Sequence, residues 1–241
     1  MVRLILAIAA FVALAAPAGA QSFNAQERAE IRAVVRDYLV DNPDVLREAL
    51  DALEARVQAE RRQRAEEDDR AFSLGPDNAP ITIVEFFDYR CPYCHAAYEW
   101  VSDVARTRRD VRVVFLELPI LSPQSVEAAR ASLAAMPQGR YLQFHGALMR
   151  YGGDLTSERI DQIAREAGVD VPRMRRAMND PESGARIDQY LNSVRALAID
   201  IAGDRNVGTP LFLVNGQITS GFRQDELERL MRDARRSEAR G

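Results

Sequence analysis

The segment Ile81-Thr82-Ile83-Val84-Glu85-Phe86-Phe87, followed by Asp88-Tyr89-Arg90-Cys91-Pro92-Tyr93-Cys94, restricts the fold more than any other. Its β-branched and aromatic residues, entered from Asp77, Asn78 and Pro80, have the composition of a buried strand. Pro92 suits the first turn of a helix, where its missing N–H leaves no bond unmade. The segment therefore predicts a strand, a short turn, and a helix opening on Cys91 and Cys94, the only two cysteines in the chain. At a helix N-terminus, unpaired N–H groups and the positive end of the dipole favour thiolate over thiol. The thiolate is the species that attacks disulfides. Cys91, at the start of the helix, reads as the attacking thiol and Cys94, one turn in, as the resolving one.

The ends of the 241-residue chain carry a different message. Residues 1–20 read as a secretory signal peptide: a basic start, an apolar run from Leu4 to Ala16, and a small-residue cleavage site at Ala18-Gly19-Ala20. The apolar run is short for a membrane span, which leaves an uncleaved anchor as the alternative. Export would place the cysteine pair in an oxidising compartment, where disulfides persist. All 32 cationic side chains are arginines, set against 36 acids for a net charge of −4, and no basic block is interleaved with aromatics. That pattern gives no support to a nucleic-acid partner.

Residues 21–57 read as a helical arm. Asn24 and Glu27 form a capping-box pattern before an apolar stripe at Ile31, Val34, Val35, Tyr38 and Leu39. Asn42-Pro43 ends that helix and begins another, with Asn42 as cap, and Leu46, Leu50, Leu53 and Val57 then make a short coiled-coil-like seam. Two such helices have little to bury against each other, so the seam is expected either to join copies of the chain or to pack on its own domain. Residues 58–76, dominated by Glu, Arg and Asp, read as a charged linker.

The remainder, residues 77–241, reads as one domain. A second strand is expected over Val111–Leu118, then helices throughout residues 122–202, then strands on either side of Asn215-Gly216, a strong hairpin signal. A closing helix from Asp225 carries Leu227, Leu230, Met231 and Ala234 on one face. One sheet interrupted by a helical insert accounts for this order.

With these residues, the order resembles the DsbA-like branch of the thioredoxin-fold oxidoreductases. The matching pieces are Val84 to Tyr89 before Cys91-Pro92-Tyr93-Cys94, the helical insert, and Val207-Gly208-Thr209-Pro210 before the late strand. The arm, with Tyr38-Leu39 and Asn42-Pro43, resembles the N-terminal region of ScsC-type (suppressor of copper sensitivity) proteins. The resemblance implies an α/β thioredoxin fold with an inserted helical subdomain and an N-terminal helical arm. It also implies a periplasmic thiol:disulfide oxidoreductase with no bound cofactor, held as a homotrimer by the arm. By the same resemblance Cys91 is the nucleophile, Cys94 resolves, and Thr209-Pro210 is the loop whose proline is cis and whose backbone meets substrate. Glu85 matches a buried acid that relays protons for the deeper thiol. An ionisable group inside an apolar strand is costly without a task or partner, and an edge position facing water is the alternative.

Tyr93 and Thr209 stand where the strongest oxidants of the family carry His and Val, which favours isomerase or reductase work, with a monomeric dithiol oxidase as the alternative. The partners implied are disulfide-containing or reduced exported proteins and a membrane redox partner, either a DsbD- or ScsB-like reductant or a DsbB-like oxidant. Two rival chemistries use the same residues. Cys91-Pro92-Tyr93-Cys94-His95 also fits the haem-attachment pattern, with His95 as ligand and His145 or a methionine as the second. Two thiolates and an imidazole also suit Cu(I), whereas a closed zinc site would want a further pair of ligands. Haem attachment would not require the strand before the motif. His95 otherwise reads as a residue that tunes the thiols, and His145, between Phe144 and Leu148, as structural.

Overall fold

The computed structural model describes residues 23–203 and 207–238. The expected signal peptide lies outside them. The chain divides into one unit ending at Leu53 and another beginning at Glu54.

In the first unit, α1 (Ala25–Asp41) opens on a complete capping box. Asn24 Oδ1 accepts the Glu27 amide at 2.9 Å, and the Glu27 carboxylate accepts the Asn24 amide at 2.8 Å. The next helix, α2 (Pro43–Glu66), begins on Pro43. Asn42 had been expected to cap α2, but its side chain donates to the Tyr38 carbonyl at 2.8 Å and so closes α1 instead. No residue of α1 is buried. Ile31, Val34, Val35, Tyr38, Leu46, Leu50 and Leu53 are all exposed.

The second unit contains the rest of α2 and every strand. Residues 58–76 are not the expected linker. Ala65 is fully buried, Arg61 pairs with Asp200 at 3.5 Å, and Arg112 donates to the Glu66 carbonyl at 3.3 Å. A short strand, β1 (Phe72–Leu74), then joins the sheet. One small apolar residue among arginines leaves no hydrophobic stripe to read, because the helix docks through Ala65 and the stems of its arginines.

The remaining elements follow as β2 (Ile81–Phe87), α3 (Pro92–Thr107), β3 (Val111–Glu117), α4 (Pro123–Ala135), α5 (Tyr141–Arg150), α6 (Ser157–Glu166), α7 (Val171–Asn179), α8 (Pro181–Ala202), β4 (Leu211–Val214), β5 (Gln217–Ser220) and α9 (Gln224–Glu238). The helical insert is thus α4 to α8. The sheet order is β1-β3-β2-β4-β5, with β2 and β3 parallel and the other pairs antiparallel. Near-continuous burial along β2 and β3 fits central strands covered on both faces. Asn215, at φ 44°, and Gly216, at φ 76°, make the tight β4–β5 turn.

Strand alternation separates the two faces. Val84, Phe86, Val114 and Leu116 pack with Tyr190, Val194 and Ala198 of α8. Ile83, Phe87, Val113 and Phe115 pack with α3, α9 and the insert. Each fully buried Ile, Val or Phe contributes about 1.5–3 kcal/mol, so β2 anchors the fold. Glu85 shares the face of Ile83 and Phe87, the face that α3 covers.

Candidate active site

The cysteines stand where β2 hands the chain to α3. Cys91 is the N-cap of α3, Pro92 occupies the first turn, and the Cys91 side chain makes no capping bond. Its sulfur is therefore left to face the amides of the opening turn. Both cysteines are free thiols; Cys91 is 4% exposed and Cys94 fully buried. Across the site, the chain entering β4 brings Thr209 and the cis Thr209-Pro210 bond. The Cys91 thiol donates to the Thr209 carbonyl at 3.2 Å.

The surroundings split the two thiols. Cys91 is lowered to about 6, first by the hydrogen bond from Cys94, then by the Thr209 hydroxyl and the amides of Cys94 and Tyr93, against the opposing effect of burial. The Thr209 hydroxyl is buried and has no hydrogen-bond partner while Cys91 is a thiol, so it is free to donate to the thiolate. Cys94 is pushed up by burial, by its bond to Cys91 and by the charge of Glu85. Glu85 is 2% exposed on β2, the middle strand of the sheet, between Phe115 and Phe212 in register, with Oε1 unpartnered. Burial, then the charge of Cys91, raises it to about 8. The structure thus places it in the buried position, not at a wet edge.

Of the other residues singled out from the sequence, Pro92 and Tyr93 lie at the surface, Tyr93 being 67% exposed. The His95 ring Nε2 donates to the Tyr89 carbonyl at 2.6 Å, which turns the imidazole onto the loop backbone. His145 is buried, with its Nδ1 3.1 Å from the Tyr89 hydroxyl and rings of Phe87, Tyr98, Phe115 and Tyr141 around it. Burial lowers it to about 3, so it is neutral and part of the core. Among the described residues, no group of three or more His, Cys, Asp and Glu side chains is arranged to hold a metal ion.

Asp88 was not singled out from the sequence. It is 1% exposed; Oδ1 accepts the Arg90 amide at 2.7 Å and Oδ2 accepts the amides of Ile120 and Leu121 at 2.8 and 3.0 Å. Its own carbonyl accepts the Cys91 amide at 3.0 Å. One side chain thus ties the active-site turn to the loop after β3. The local sign was an Asp two residues before an amide it could accept, the Asx-turn pattern. The link to residues 120 and 121 is long-range and has no sequence signal. A second buried acid, Glu117, accepts from Ser132 at 3.0 Å and Tyr141 at 2.6 Å, and burial raises it to about 7.

Residues 82–232 match the model of the DSBA-like thioredoxin domain. The chain belongs to that family. Its members are thiol:disulfide oxidoreductases. Residues 27–60 match the N-terminal domain of the copper resistance protein ScsC. Among solved structures, a thioredoxin-like oxidoreductase from Silicibacter pomeroyi is 38% identical with a TM-score of 0.66, over 73% of this chain and 98% of its own. A linker-deletion mutant of Proteus mirabilis ScsC is 25% identical with a TM-score of 0.65, over 90% of this chain and 98% of its own. Among curated proteins, a stretch of the Na(+)/H(+) antiporter NhaA 3 of Salinispora tropica is 31% identical over 151 residues, 62% of this chain. The chain spans 22% of the length of that relative. Among the described residues, no helix is long and apolar enough to cross a membrane.

Proposed function

We propose that the protein is a periplasmic thiol–disulfide interchange protein working through Cys91-Pro92-Tyr93-Cys94 as an isomerase or reductase of exported proteins. The observation that carries the thiol-exchange part of this reading is the split of the two thiols, Cys91 lowered to about 6 beside a buried Cys94 raised by its surroundings; the isomerase or reductase direction rests on Tyr93, Thr209 and the arm.

The Cys91 thiolate attacks one sulfur of a substrate disulfide, and the other substrate sulfur leaves as a thiolate that takes up a proton. In the reductase direction Cys94 gives up its proton and attacks the Cys91 sulfur. The substrate leaves with both thiols, the protein keeps the Cys91–Cys94 disulfide, and two electrons have passed to the substrate. In isomerisation a second substrate thiol attacks the mixed disulfide instead, and Cys91 returns as thiolate with no net electron transfer. Glu85, raised to about 8, is suited to move the Cys94 proton in either direction near neutral pH. The Thr209 carbonyl and hydroxyl position Cys91, and Pro92, Tyr93 and His95 tune the motif.

The exposed apolar residues of residues 23–53 support an oligomerisation arm, with a homotrimer as the proposed form. A net reductase or isomerase also needs a DsbD- or ScsB-like membrane reductant. One observation favours a second reading: a stabilised Cys91 thiolate stabilises the reduced form, which raises oxidising power and suits a dithiol oxidase with a DsbB-like partner. A copper-binding reading has less support, because His95 Nε2 is already bonded to the Tyr89 carbonyl and the ScsC-like stretch 27–60 has no cysteine.

The test is reactivation of scrambled ribonuclease and oxidation of the reduced ribonuclease chain, with and without residues 23–53. Deletion stops at Leu53 because the rest of α2 belongs to the second unit. Reactivation that depends on the arm establishes the oligomeric isomerase. Fast oxidation indifferent to the deletion establishes the oxidase, and activity in neither assay refutes both.

A further inference from the structure

Arg90 stands immediately before the nucleophile, and the thiol chemistry described above leaves its side chain unused. Its backbone is fixed: Asp88 Oδ1 accepts the Arg90 amide at 2.7 Å, and the Asp88 carbonyl accepts the Cys91 amide at 3.0 Å. The side chain therefore starts from a point that is rigid with respect to Cys91. It leans toward the helical insert, where Nη2 lies 3.3 Å from Asp154 Oδ1. Asp154 belongs to the α5–α6 loop, next to the exposed Gly152 and Gly153.

The two ends of this ion pair are unequally held. The Arg90 side chain is 32% exposed and that of Asp154 is 83% exposed. Arg130 and Arg175 are covered to a similar extent, but each is well occupied. Arg130 meets Asp188 and the Met178 carbonyl, and Arg175 meets Glu127, Asp161 and the Ser157 carbonyl. Arg90 has the same fork of donors and, among the described residues, the single acceptor Asp154. A guanidinium largely withdrawn from water with most of its fork unfilled is suited to a planar carboxylate. Exposed ion pairs hold weakly, so a second carboxylate can displace Asp154. The rest of the turn offers no competing charge: Pro92 and Tyr93 are exposed and neutral, and Asp88 is buried with both carboxylate oxygens bonded.

Resting on the thiol-exchange reading, we propose that Arg90 is a specificity-determining residue that receives the carboxylate of a Glu or Asp close to the reacting cysteine of the substrate polypeptide, with Asp154 as an internal stand-in until substrate arrives. Neighbouring Cα atoms are about 3.8 Å apart and an extended chain rises about 3.3 Å per residue, so an acid one to three residues from the substrate cysteine is within reach. Arg90 neither gives nor takes a proton or an electron. The bond between Cys91 and the substrate sulfur forms, and the substrate disulfide breaks, as described above. The contribution of Arg90 is to binding and therefore to KM. Disulfides flanked by acidic residues are the class it selects.

The test is single-turnover disulfide exchange by the reduced full chain, in which one substrate disulfide is reduced for each Cys91–Cys94 pair oxidised. Three cystine-bridged peptides with blocked termini differ only at the residue beside one cysteine, which is Glu, Gln or Lys. At subsaturating peptide and low salt, the unaltered protein is expected to favour Glu over Gln about fivefold and to disfavour Lys, with the same rate at saturation. Added salt should flatten the order. R90Q should bring the Glu-to-Gln ratio to about one, and R90K should retain part of it. D154N removes the stand-in and should raise the ratio about twofold, whereas in R90Q/D154N it stays at about one.

A ratio near one in the unaltered protein overturns the proposal while leaving the exchange reading intact. A preference for Glu that survives in R90Q overturns it as well, even where all three rates fall together, because the damage then lies at the thiols or the fold. A D154N effect that persists without Arg90 also overturns it, since the field of the whole surface then sets the order. Absence of exchange by the unaltered protein with every peptide refutes the exchange reading itself.

Discussion

Replacing Glu85 by Gln should flatten the pH dependence of stability. Folding raises the carboxyl from 4.5 to about 8, chiefly by burial, so the folded state favours the protonated form. The stabilisation from that form is fully present below about pH 4.5 and is lost as pH rises through about 8. The shift is about 3.5 units, which at about 1.4 kcal/mol per unit is up to about 5 kcal/mol between acid and alkaline limits. Gln has the shape of the protonated acid and no charge to bury. Glu117, raised to about 7, and His145, lowered to about 3, titrate in both proteins and cancel in the difference. Urea unfolding of the reduced protein at a series of pH values measures that difference. Near pH 4 the two should agree within about 1 kcal/mol, and near pH 9 Glu85→Gln should be the more stable by several kcal/mol. Parallel stability curves would mean that Glu85 carries no buried charge, and the relay assigned to it would fall.

Three further outcomes are expected. Thr209→Val removes the hydroxyl but keeps the carbonyl, so the Cys91 titration should move up by about one unit while Tm changes little. Arg175 bonds Glu127 at 2.6 Å, Asp161 at 2.7 Å and the Ser157 carbonyl at 2.9 Å, joining α4, α6 and α7. Arg175→Met leaves two carboxylates facing each other and should cost about 2 kcal/mol in denaturant unfolding, with thiol reactivity unaltered. Asp88→Ala strips three amides of their acceptor and should cost about 2–4 kcal/mol, read in the same way, together with slower exchange through a displaced active-site turn.

Much of the fold was legible because local chemistry agrees with the tertiary result. The period and composition of Ile81–Phe87, the hairpin at Asn215-Gly216 and the helix caps at Asn24 and Thr156 each specify one local structure, and each element lies where they place it. The thiol pair was legible because its chemistry depends on neighbours within one helical turn. What escaped depends on partners far along the chain. Strand β1 is three residues long and earns its place only by pairing with β3. The end of α2 docks through Ala65 amid charges, so its hydrophobic contact leaves no periodic trace. Asp88 and Glu117 read as ordinary acids until residues 120, 121, 132 and 141 are brought to them.

The most direct test of the central claim is a pH titration of thiolate ultraviolet absorbance in the reduced protein, run beside Cys91→Ser and Cys94→Ser. The account predicts one thiolate step near pH 6 that vanishes in Cys91→Ser and moves upward in Cys94→Ser, where a hydroxyl replaces the thiol as donor. A first step above about pH 8, or one that survives in Cys91→Ser, would contradict it.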